Sequence, residues 1–104
     1  MATLEEENRQ VLNLIQSLLG AVSSNFRAVS ITVDNEIILH FLLEKDNAED
    51  REEIEDIEFE FLAMQGRLVT VTTEIVVSSR PIDEIRLPGR GVFLRRESLD
   101  HASN

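Results

Sequence analysis

Apolar positions along the chain alternate between helical and strand spacing, and each switch marks an element. Val11, Leu14, Ile15, Leu18, Leu19 and Val22 recur at intervals of three and four, the spacing of one helical face. Thr3 followed by Glu6 reads as a capping box ahead of them, with acids in the first turn complementing the helix dipole. The pattern predicts a first helix over residues 4–22, ended by Ser23-Ser24-Asn25. From Phe26 to Val33 the period becomes two, with Val29, Ile31 and Val33 on one side. Asp34-Asn35 is a two-residue turn candidate, because both residue types tolerate positive φ. The strand that follows, EIILHFLLEK, has Ile37, Leu39, Phe41 and Leu43 on one face. Ile38 and Leu42 on its other face predict cover on both sides.

Asp46 with Glu49 repeats the capping-box pattern and opens a second helix over residues 47–65. Ile54, Ile57, Phe61 and Met64 form its inward stripe, Phe59 and Leu62 lie beside that stripe, and Gly66 is placed to cap the end. RLVTVTTEIVV, residues 67–77, is the clearest strand, β-branched and alternating, with Val69, Val71, Ile75 and Val77 on one side. SSRPIDEIRLPGRG is a long connection punctuated by two prolines and two glycines. VFLRR is a short strand near a sheet edge, because its arginines need water, and ESLDHASN is a polar tail. The order α-β-β-α-β-β predicts an α+β fold, a two-layer sandwich with both helices packed on one face of an antiparallel sheet. At 104 residues the chain is sized for one domain, residues 1–97, with a tail at 98–104.

Composition narrows the chemistry. There is no cysteine, hence no disulfide framework, thiolate zinc site or thiol nucleophile. MATLEEENRQ carries acid where a secretory signal would carry base, and no apolar run reaches the length of a membrane span; the expectation is a cytoplasmic protein. A net charge of −10 argues against nucleic acid and anionic membranes as partners. His40 is a candidate general base or metal ligand inside a strand, set against a structural role, and His101 lies in the tail with no fixed partner to work with. LPGRG does not join a strand to a helix, so it makes a poor phosphate loop. No catalytic set, metal site or cofactor motif emerges, and the expectation is not an enzyme.

Acid is the dominant feature. From Glu44 to Glu60 there are ten carboxylates against Lys45 and Arg51, a net of −8 over seventeen residues. With Ile54, Ile57 and Phe61 inward, Glu49, Glu52, Glu53, Asp56 and Glu60 crowd toward solvent. Like charges at that spacing cost a helix a few tenths of a kcal/mol per pair, so they are candidate contacts for a basic protein. A merely solvated face is the competing reading. From Arg67 to Arg96 six arginines stand against Glu74, Asp83 and Glu84; pairing of these arginines with the second helix is preferred over an anion-binding patch. The strand 67–77, if it lay at an edge, could pair with its twin in a homodimer.

The run from Ile15 to Phe61, with LLGAVSSN closing a helix and RAVSI opening a strand, and the closing GVFLRRE at 91–97, resemble a family of small acidic bacterial proteins. That family is associated with contact-dependent growth inhibition and colicin-type immunity. The resemblance implies a non-enzymatic inhibitor that binds one cognate toxin domain, many such toxins being nucleases with basic clefts. It transfers no binding residue by motif, so the five carboxylates rest on charge and geometry. Two alternatives stand beside it: a small assembly protein that homodimerises through its sheet, and a ligand-binding or regulatory domain using the loop from Arg80 to Gly91.

Overall fold

A computed structural model describes residues 2–97; the tail at 98–104, with His101, lies outside the described residues. Helix α1 spans Leu4–Leu18, strands β1 and β2 span Phe26–Val33 and Ile37–Leu43, helix α2 spans Ala48–Ala63, and strands β3 and β4 span Val71–Val77 and Arg90–Leu94. A single 3₁₀ turn, Ile82–Glu84, interrupts the last connection. The fold is α+β.

The sheet order is β3-β2-β1-β4, and the sheet is mixed, which corrects the all-antiparallel expectation. β1 pairs antiparallel with β2 and β4, whereas β2 and β3 run parallel in register from Ile37↔Val71 to Leu43↔Val77. The reason lies in the connection. A hairpin reverses the chain, but α2 returns it to the end of the sheet where β2 began, and the next strand must then run parallel. Both β3 and β4 are edge strands.

Local chemistry sets the boundaries. Thr3 caps α1, its hydroxyl accepting from the Glu6 amide at 3.0 Å. The helix stops at Leu18, four residues earlier than its apolar spacing suggests, because Gly20 takes φ +79° and breaks the ladder. Helix α2 is capped by Asn47, not Asp46: the Asn47 side chain accepts from the Asp50 amide at 3.1 Å. Asp46 instead pairs with Arg51 at 2.6 Å, and that hydrogen bond holds its carboxyl below the ordinary value. Gly66 is not a left-handed cap, since the positive-φ glycines are Gly20 and Gly89. The β1–β2 turn is a three-residue loop, Asp34–Glu36, with no positive φ.

The core joins Leu14 and Leu18 of α1 and Ile54, Ile57 and Phe61 of α2 to Val29, Ile31, Leu39, Phe41 and Leu43 of the sheet. A bulge between Phe26 and Ala28 lets Phe26 join the same face as Val29, three residues on, which strict alternation would forbid. Phe26 then meets Phe41 edge to face at 6.1 Å. Leu42 is buried as well, because the segment between β3 and β4 crosses the opposite face of the sheet. Ser30 Oγ donates to the Pro88 carbonyl at 2.6 Å, and Arg27 donates to the Ser78 carbonyl at 2.8 Å.

Candidate functional site

Helix α2 is oriented by one of its own acids. Asp50 is buried, one turn before Ile54 on the inward stripe. Its carboxylate accepts from Ser23 Oγ at 2.9 Å and Asn25 Nδ2 at 2.8 Å. Asn25 in turn exchanges bonds with the backbone of Lys45. The loop that leaves α1 is thereby tied to the first turn of α2. At the far end Gln10 and Gln65 join side-chain amides reciprocally, at 2.9 and 3.0 Å. These two ties set the two helices side by side.

With Asp50, Ile54, Ile57 and Phe61 inward, steps of about 100° per residue place Glu49, Glu53, Asp56 and Glu60 down one flank and Glu52 at its outer margin. Glu53 is half-buried and the other four are exposed. Glu53, Asp56 and Glu60 line a groove of about 350 Å³ opposite Leu19, Gly20 and Ala21 at the end of α1, with Ile57 in its lining. Phe59 lines the same groove and is 73% exposed. It sits nearly opposite the inward stripe, not beside it. Leu19 is 68% exposed.

The arginines do not neutralise this flank, which corrects the preferred expectation. Arg67 pairs with Glu6, Arg90 with Glu7, Arg80 with Glu84, and Arg95 with Glu44 and Glu97. Among the described residues no ion pair reaches Glu49, Glu52, Glu53, Asp56 or Glu60.

The other sequence candidates fall into structural roles. His40 is buried on β2, with Nε2 2.8 Å from Thr32 Oγ1 on β1 and Nδ1 3.0 Å from Glu74 Oε1 on β3. Since an ionised carboxylate only accepts, Nδ1 holds the proton and Nε2 accepts from the threonine hydroxyl when the ring is neutral. Both nitrogens are occupied in tying three strands together. Gly89 of LPGRG packs against the β1 backbone. No group of three or more His, Asp or Glu able to hold a metal occurs among the described residues, and none of their helices is long and apolar enough to cross a membrane. The crossing segment does line an apolar groove of about 480 Å³ with Leu42, Ile82, Ile85, Leu87 and Phe93, and Asp83 and Arg86 border it.

A family model described as MafI2 immunity protein matches residues 7–97, which takes in all four strands, α2 and most of α1. The chain belongs to this family. The MafI2 match spans the acidic helix, both helix ties and the closing VFLRRE, and it gives the immunity resemblance drawn from those segments a definite family. No curated protein matches the chain. Sequence periodicity missed three residues of this MafI2 chain's candidate surface or its support: Asp50, Leu19 and Phe59. Asp50 and Phe59 had a signal in their phase, four residues before Ile54 and two after Ile57. Leu19 had one too, since steps of about 100° per residue place it some 140° from Leu14, on the side of Leu12 and Ile15.

Proposed function

We propose that this chain is a non-enzymatic immunity protein that binds and neutralises a cognate toxin domain through the α2 flank of Glu49, Glu52, Glu53, Asp56 and Glu60. Membership of the MafI2 immunity family supports the immunity role. The observation that carries the surface is the unneutralised carboxylate row: Arg67, Arg80, Arg90 and Arg95 pair with other carboxylates, and among the described residues no ion pair reaches these five acids. Retaining that repulsion on an otherwise well-tied helix favours a partner of opposite sign, a basic toxin such as a nuclease. The charge would speed encounter and reject wrong partners.

Replacing Glu52, Glu53 and Asp56 together by lysine is expected to weaken toxin binding by about 30-fold or more and to flatten its salt dependence. The circular dichroism of the variant should match the parent, since none of the three is in the core. Titration of the toxin domain at two salt concentrations checks this, and an affinity unchanged at both would remove the flank from the interface.

A second reading is favoured by one observation: β3 is an edge strand, open to pairing with a second copy, in which case α2 is only a solvated exterior. Against it, an antiparallel self-pair centred on Glu74 sets that carboxylate against its twin. Under this reading Val76→Lys would abolish a dimer seen by sedimentation, whereas the toxin-binding reading expects the parent chain to sediment as a monomer.

A further inference from the structure

Resting on the reading of the α2 flank as toxin-facing, we propose that the groove between the end of α1 and α2 seats one apolar side chain from a basic segment of the toxin. Phe59 and Leu19 hold that side chain, and Glu53, Asp56 and Glu60 select the lysines or arginines beside it. The argument begins with an anomaly. Every other large apolar residue of α2 up to Phe61 is buried, yet Phe59 is 73% exposed between two glutamates. Exposed phenylalanine does nothing for a helix that needs only solubility, and the fold has no use for this ring. Leu19 is exposed by its phase, about 140° around α1 from the buried Leu14 and on the side of the exposed Leu12 and Ile15. Both line one groove, with Ile57 also in its lining and three unneutralised carboxylates around it.

Charge decides the occupant. A second copy of this chain would bring a net charge of −10 to an acidic groove, and of its six arginines from Arg67 to Arg96 only Arg86 and Arg96 have no ion pair among the described residues, the other four being engaged by their own carboxylates. A basic segment of another protein meets no such repulsion. An apolar centre inside a charged rim divides the work: the rim governs encounter, and the buried centre governs how long the complex lasts.

The test is stopped-flow association and dissociation between a purified, inactivated cognate toxin domain and the parent, Phe59→Ala, Leu19→Ala and the triple lysine variant. Phe59→Ala is expected to raise the dissociation rate about 30-fold and Leu19→Ala about 10-fold, with association changed less than about 3-fold and its salt dependence intact. The triple variant should instead slow association. Dissociation rates unchanged in both alanine variants, while the triple variant still slows association, would overturn the anchors and leave the flank standing. No change in any variant would overturn both. Both side chains are exposed, so the alanine variants should keep the parent's melting temperature, and a shared loss of stability would also count against a binding role.

Discussion

Gly89→Ala is expected to destabilise the chain by on the order of 3 kcal/mol or more, lowering the melting temperature by more than about 10 °C. Gly89 has φ +80°, and a Cβ at this position would lie 2.3 Å from the Ile31 carbonyl oxygen and 2.7 Å from Thr32 Oγ1. Neither neighbour can give way. The Ile31 carbonyl belongs to β1, a central strand, and Thr32 Oγ1 is already bound to His40. Relief requires the crossing segment to lift from the sheet, which breaks the Ser30–Pro88 bond and uncovers Leu42. Gly91→Ala is the control two residues away. That glycine has no positive φ and nothing within 4 Å of its added Cβ, so its cost should stay near 0.5 kcal/mol. Equal melting temperatures for the two variants would refute the account of how the segment is held down.

Glu97→Gln should cost about 3 kcal/mol at neutral pH, because it leaves a buried guanidinium without its counter-charge. Arg27, turned by the bulge in β1, is 3% exposed. Its Nε and Nη2 donate to the two oxygens of Glu97 at 2.9 and 2.8 Å. Arg95 bridges Glu97 to Glu44, so the cluster links the ends of β1, β2 and β4, while the bond from Arg27 to Ser78 adds β3. The hydrogen bond from Arg27 holds the Glu97 carboxyl below its ordinary value of 4.5 and raises the pKa of Arg27. The sign of the pH effect follows from that depression. Glu97 contributes its full stabilisation above about 4.5, where it is ionised in the folded and unfolded chain alike, and loses it as pH falls through the folded value. Urea unfolding of the parent should therefore weaken below pH 4.5 by more than that of Glu97→Gln. Arg27→Met should cost less than Glu97→Gln, since it removes the buried charge and leaves Glu97 with Arg95. The reverse order would mean that the ion pair is not what holds these strand ends.

Periodicity located the elements because burial imposes it locally. The alternation from Phe26 to Val33 and the spacing of Ile54, Ile57 and Phe61 each reflect one face turned to one core, and neither depends on what comes later in the chain. Caps were legible only where a single residue could serve. Thr3 was found, but Asp46 and Asn47 are both good caps, and the choice fell to Asn47 because Asp46 is drawn off by Arg51. The end of α1 was missed because apolar spacing runs on through Leu19 and Val22, and the left-handed turn at Gly20 outweighs it. The face of Glu49, Glu52, Glu53, Asp56 and Glu60 follows from helical phase alone, and so in principle did the outward direction of Phe59.

By itself, then, the order of residues determined the element types, the inward faces and the concentration of acid on α2, all of which depend on neighbours within a few turns. Whether that acid is neutralised was decided only in three dimensions. Ion pairs join groups brought near by sheet order, and sheet order follows from the path of α2 and of the crossing segment. With β4 beside β1, at the edge away from β3, Arg90 falls by α1 and Arg95 by Glu44. The α2 flank is then left with its charge because no basic strand is placed within reach of it.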